Sequence, residues 1–188
     1  MGSSPPRAVY DACVLYPFQL RNLLVQLAVD RLVEARWSDD IHDEWIRNVV
    51  ANTPGLTRER LDATRALMER AVPLARVTGF APRVATITLP DPGDRHVVAA
   101  AIEAGADVIV TWNVRDFPAA ELRRHGLQKA TPDAFLTELL AAEPAIVAAS
   151  VENARRNLNL SRVTKAAYLD GLQRQGLKRF VAALSRTA

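Results

Sequence analysis

Asp11, Glu44, Asp91, Asp94, Asn113 and Asp116 stand at places where this chain changes between strand-like and helix-like sequence. Asp11 follows the short apolar run 8–10, Asp91 and Asp94 follow "VATITLP", and Asn113 and Asp116 follow "DVIVT". Glu44 falls in the first turns of a helical segment that starts near residue 38. In open parallel sheets, ligands bind outside the carboxyl ends of the strands, where such residues converge. Carboxylates gathered there repel one another and stay ionised together only if a cation neutralises them. Mg²⁺ or Mn²⁺ suits an all-oxygen donor set. A site of that kind activates water for in-line attack on phosphorus. Each acid also has a plainer use. Asp94 could cap a helix, contributing ~1 kcal/mol, and Asp11 could satisfy loop amides. Glu44 could complement a helix dipole, and Asp116 could be a surface turn residue. Their joint placement points to metal-dependent chemistry.

Other chemistries find less support. His42, His96 and His125 have no metal-ligand spacing, and His96 is expected on the exposed side of its helix. No glycine-rich phosphate loop or "GxSxG" elbow occurs. The single cysteine, Cys13, excludes an internal disulfide and reads as a packed small residue. Trp112, beside Asn113, could border the site and stack a base.

The elements that must position these groups follow from periodicity. A buried strand is predicted over 8–10, then a helix over 18–35 carrying Leu20, Leu23, Leu24, Leu27 and Leu32. Ser38 or Asp39 caps a second helix. Thr57 caps a third, with Leu61, Leu67, Met68, Ala71 and Leu74 expected inward. "VATITLP" alternates like a strand that Pro90 stops. Asp94 is expected to cap the next helix, which Gly105 closes. The strand 107–111, a short helix 118–125, an edge strand 127–130 and a helix opening at Thr131-Pro132 complete the series. Alternation of strands and helices implies an α/β fold with a parallel central sheet. After Pro144 the pattern is purely helical, so a body over 8–142 and a helical C-terminal extension over 144–188 are expected. The extension's apolar stripe (Leu169, Leu172, Leu177, Phe180, Val181, Leu184) could pack on the body, on a second copy or on a partner.

The net charge is +3, but residues 151–188 hold eight basic side chains against two acidic ones. The first 150 residues hold 16 basic and 19 acidic ones. An acidic site beside a basic surface fits that asymmetry. No apolar run reaches the ~20 residues of a membrane span and "MGSSPPR" lacks a signal-peptide layout, so a cytoplasmic protein with no membrane association is expected.

With Asp11, Glu44, Asp94 and Asn113 in these positions, the chain resembles a PIN domain, the family of metal-dependent nucleases that includes the VapC toxins. "VYDACVL", "IHDEWIRNV" and "DRHVVAAAIEAGADVIVTWNVRDFP" carry the likeness, over roughly residues 8–140. "PDPGDRHVVAAA" and "TWNVRDFP" are similar to a bacterial toxin subgroup whose members often carry a helical C-terminal region. The resemblance implies a three-layer α/β/α fold and Mg²⁺- or Mn²⁺-dependent endoribonuclease activity on single-stranded RNA, leaving 5′-phosphate and 3′-hydroxyl ends. It also implies a type II toxin–antitoxin pair of the VapBC kind, with a cognate antitoxin protein and a homodimer as partners. It makes Asp11, Glu44 and Asp94 the main metal-binding acids, with Asp91 auxiliary. Asn113 and Asp116 would hold outer waters or a second metal. Arg36, Arg47 and Arg115 would bind flanking phosphates, and Thr111 would bond an acid or a metal water. Many PIN domains place aspartate where Asn113 stands, so the alternative is a catalytically inactive PIN-like module that binds RNA or protein.

Overall fold

The structure, a computed structural model, describes residues 4–158 and 162–187. Strand β1 (Arg7–Tyr10) lies inside a four-stranded parallel sheet with β2 (Glu34–Arg36), β3 (Val108–Val110) and β4 (Gln128–Ala130), in the order β2-β1-β3-β4. The chain leaves β1 through a single turn of helix, α1 (Ala12–Leu15), and then α2 (Phe18–Val29). The continuous helix expected to residue 35 is therefore corrected. Arg31 adopts a left-handed conformation (φ 61°), and the chain turns back as strand β2 (Glu34–Arg36), pairing Ala35 with Ala8. Periodic leucines had masked a strand of only three residues.

Ser38 caps α3 (Asp39–Asn52), its hydroxyl accepting from the Ile41 N–H, and Thr57 caps α4 (Arg58–Ala71) from the Arg60 N–H. Only Leu61 and Met68 of the inward set on α4 are buried; Leu67, Ala71 and Leu74 face solvent, because α4 lies at the periphery on α3 and α2. A short helix, α5 (Ala81–Val84), occupies the start of "VATITLP", and the rest forms no strand. Ile87 and Leu89 are buried, so the alternation is real. The segment packs as an irregular stretch, its Thr88 N–H donating to Glu121, instead of pairing with the sheet.

A 3₁₀ turn (Pro92–Asp94) leads into α6 (Arg95–Glu103), which Gly105 closes with φ 58°. Next come β3 (Val108–Val110), α7 (Ala119–Arg124), the edge strand β4 (Gln128–Ala130) and α8 (Pro132–Ala142), capped by Thr131 as expected. Right-handed crossovers place α2 on one face of the sheet and α6 on the other, giving three layers, α/β/α. Because the crossover from β1 runs toward β2 and that from β3 toward β4, the chain diverges above these two adjacent strands. A crevice opens at their carboxyl ends.

The C-terminal segment adds α9 (Pro144–Arg156), α10 (Lys165–Arg174) and α11 (Lys178–Thr187). Helix α9 packs on α2 and α8, and α11 packs on α8. Leu172, Leu177, Phe180, Val181 and Leu184 are buried there, so the stripe is spent on the body. Asp133 of α8 accepts the N–H groups of Arg179 and Phe180 at 3.2 and 2.8 Å, supplying α11 with its cap. The turn between α10 and α11 rests on Trp112. Gly176 has φ 100°, and a Cβ there would lie 2.8 Å from the indole. No helix among the described residues is long and apolar enough to cross a membrane.

Gly176→Ala should therefore meet both a backbone penalty and an indole clash. The expected loss is ~1–3 kcal/mol, read as a lower urea midpoint. A midpoint equal to that of the unmodified chain would remove Trp112 as the buttress of this turn.

Candidate active site

Asp11 continues β1 by one residue, its N–H bonded to the Val110 carbonyl at 3.1 Å, and its side chain is only 2 % exposed. One carboxylate oxygen, Oδ2, accepts both the Thr111 hydroxyl at 2.6 Å and the Cys13 thiol at 3.2 Å. Thr111 in turn accepts the Asn113 N–H at 2.9 Å, and the Cys13 sulfur accepts the Trp112 N–H at 3.3 Å. A chain of bonds thus ties the segment after β3 to the acid after β1. Burial raises its pKa above the carboxylate norm and the Glu44 charge adds to this, against the two side-chain donors. Burial, followed by the charge of Asp11, pushes the Cys13 thiol up to about 12, so it remains a donor at neutral pH. The reading of Cys13 as mere packing is corrected; its i+2 spacing from Asp11 carried no signal of this.

Asp94 occupies the N-cap position of α6, but its carboxylate makes no capping bond; Asp91 caps the preceding 3₁₀ turn instead, accepting the Gly93 N–H at 2.7 Å. The expectation that Asp94 caps the helix therefore fails, and with it the plain explanation of this acid. Burial raises the Asp94 pKa to about 6, with further contributions from the charges of Asp11, Asp91, Asp116 and Glu44. All five acids thus lie within electrostatic reach of one point.

A recess of about 480 Å³ is lined by Asp40, Glu44, Arg47, Asp91, Asp94 and His96, among others. Residues 40, 43, 44 and 47 form one stripe of α3, spaced i, i+3, i+4, i+7. His96 is not on the exposed side of α6 as expected: its side chain is 16 % exposed, with Nε2 3.4 Å from the Glu44 carboxylate. Burial opposes the charged imidazole, but the contact with Glu44 and the charges of Glu44, Asp40 and Asp11 outweigh it and raise the pKa.

The remaining residues divide. Arg47 lines the recess, whereas the Arg36 guanidinium is turned to Glu34, an acid that also binds Arg7. Arg36 is therefore not brought to the acids. Asn113 and Arg115 are exposed, and no described residue bonds the side-chain amide of Asn113. Asp116 closes a turn on the Asn113 carbonyl at 2.9 Å. Lys129 fastens that segment from below, donating to the carbonyls of Val114 and Phe117. Trp112 lies against the α10–α11 turn instead of standing free beside the crevice. Among the described residues, no three His, Cys, Asp or Glu side chains stand close enough to hold a metal ion as arranged. The donor set still fits a hard divalent cation: it is all oxygen, and burial together with the neighbouring carboxylates raises the Asp94 pKa to about 6, a cost that a cation would relieve.

Residues 7–115 match the family described as PIN domain, and residues 132–186 match the one described as VapC50 C-terminal domain. Over 47 residues the chain is 45 % identical to a Mycobacterium tuberculosis (strain ATCC 25618 / H37Rv) protein named "Putative ribonuclease VapC50". That stretch is 25 % of this chain and 28 % of the relative. No solved structure matches the chain significantly. The PIN match covers more than half of the sequence, and the chain belongs to the PIN domain family, as a VapC-like member with a C-terminal extension.

A raised pKa of Asp94 means that the folded chain holds this proton more tightly than the unfolded chain does. Stability of the metal-free protein should then fall as pH rises from about 4 toward 6. In EDTA, Asp94→Asn should be more stable than the unmodified chain at pH 7.5, with the difference shrinking toward pH 4. Equal thermal unfolding of the two proteins at pH 7.5 would contradict the penalty on the charged form of Asp94 that burial and its neighbours impose.

Proposed function

We propose that this PIN protein is a metal-dependent endoribonuclease cleaving single-stranded RNA, the toxin of a type II toxin–antitoxin pair of the VapBC kind acting in the cytoplasm. The observation that supports the reading is the placing of Asp94, which makes no capping bond, beside Glu44 and Asp91 in one recess, within electrostatic reach of Asp11 and Asp116. Residues 8–142 carry the chemistry and 144–188 form the extension. A cognate antitoxin and a homodimer rest on family membership and on the VapC50 likeness.

In this reading Asp11, Glu44 and Asp94 would hold Mg²⁺ or Mn²⁺, with Asp91 assisting through water. The bound ion would lower the pKa of a water and offset charge on the phosphate under attack. Thr111 and Cys13 hold the Asp11 carboxylate through Oδ2. His96 orients Glu44. Asn113 and Asp116, on the segment after β3, would hold outer waters or a second metal. Arg47 on the recess wall and exposed Arg115 bind flanking phosphates, aided by Arg162, Lys165, Lys178 and Arg179 on the extension, all exposed. Such binding weakens as salt rises, because counterions are released on association.

A second reading, a PIN-like module that binds RNA or protein without cutting, is favoured by Asn113 in place of an acid and by the spread of the carboxylates. The two are separated by incubating a mixed RNA pool with the purified chain in Mn²⁺, Mg²⁺ or EDTA, beside Asp11→Asn. We expect metal-dependent cutting that the variant loses by ~100-fold or more, with its unfolding still cooperative. Full activity in Asp11→Asn would sink the assignment. Absence of both cutting and calorimetric Mn²⁺ binding would establish the module.

A further inference from the structure

The carboxyl edge of the sheet continues past the acid crevice. β4 lies next to β3, and its last residue, Ala130, accepts the Thr111 N–H at 3.0 Å. The chain then enters α8, and Asp133 in the first turn of that helix accepts the N–H groups of Arg179 and Phe180. The start of α11 therefore sits at the carboxyl end of β4, one strand or ~5 Å beyond β3. The α10–α11 turn closes the interval between them. Gly176 stands against the Trp112 indole, next to Asn113, and Gln175 accepts the Leu20 N–H at 3.0 Å at the start of α2. Three separate contacts thus build the extension into the rim of the crevice.

Lys178 and Arg179 are exposed at this place. The acids near them are already engaged. Glu152 holds Arg155 and Arg156, Asp170 pairs with Arg174, and Asp133 is committed to backbone N–H groups. Lys178 and Arg179 make no salt bridge among the described residues. A polyanion that enters a crevice lined with carboxylates is repelled by them, so cations at the margin must offset that repulsion. Arg47 of α3 is one such cation, on the recess wall. Lys178 and Arg179 are two more, beyond Trp112. A strand of nucleic acid is held by cations spaced along its backbone, and their arrangement here has that form.

We infer that the first turn of α11 holds the RNA strand where it leaves the crevice, with Lys178 and Arg179 on its phosphates. The strand passes over Trp112 toward β4, and at ~3.4 Å per stacked nucleotide the two cations stand roughly one or two nucleotides from the acids. The inference rests on the reading that RNA enters the crevice, and it deepens that reading in two ways. The extension becomes part of the substrate site, which is incomplete without it. The substrate class becomes an RNA that is single-stranded for a few nucleotides beyond the cut, since a dinucleotide would not reach α11.

The test measures binding of a fluorescein-labelled octauridylate to the full chain by fluorescence anisotropy, in EDTA so that nothing is cut. The double variant Lys178→Gln/Arg179→Gln should bind ~10-fold more weakly or worse. Its slope of log affinity against log salt should be shallower by ~1.4, or ~0.7 for each lost phosphate contact. Arg186→Gln, also exposed and ~12 Å further along α11, should bind as the unmodified chain does. In Mn²⁺ the double variant should show a raised KM for the same RNA, with kcat changed far less. Equal weakening by the two changes, unaltered affinity in the double variant, or no binding by the unmodified chain would overturn the proposal. If the unmodified chain cuts RNA and the double variant binds it normally, the role of α11 falls and the nuclease reading stands. The expected binding pattern without any cutting in Mn²⁺ would keep the role of α11 and remove the nuclease.

Discussion

Mutual repulsion among carboxylates at one edge of the sheet is the constraint that organises this molecule. Charges of one sign are brought together where two parallel strands, β1 and β3, send their chains apart. The surrounding structure supplies rigidity to hold them. Asp11 is anchored through one oxygen by two neutral donors, and the segment after β3 is held by Thr111 above and Lys129 below. Neither device neutralises the acids, so the electrostatic strain remains available to a cation.

Helix α3 divides the protein's electrostatics between its two sides. One stripe carries Asp40, Asp43, Glu44 and Arg47 toward the crevice, and the other carries Trp45 and Val49 toward the buried Arg21. Asp11 and Arg21 are both buried early in the chain and are treated alike. Each receives neutral hydrogen-bonding partners instead of an opposite charge. Their pKa values move in the directions that burial dictates, up for Asp11 and down for Arg21.

Much of this was legible in the residues. The caps at Ser38, Thr57 and Thr131, the glycine stop at Gly105 and the strands on either side of the crevice follow from local chemistry that the fold does not override. The failures share one cause, namely that short-range pattern does not say what a segment packs against. Alternation in 84–90 marks burial of Ile87 and Leu89, yet no strand edge is there to pair with. The leucine rhythm that ends at Leu32 continues past the point where Arg31 reverses the chain. At the site, the acids announced themselves by type and position. Cys13 and His96 did not, because their roles depend on Thr111 and Glu44, which lie far from them in the chain.

The seat of Gly176 on Trp112 has a historical consequence. Trp112 immediately precedes Asn113 at the crevice, and Gly176 lies between the last two helices. A bulky indole at one position requires a missing side chain at the other. The extension is therefore no detachable appendix: exchanging it between relatives would bring together surfaces shaped by separate ancestries. Descent should preserve the two residues as a pair, or replace them as a pair.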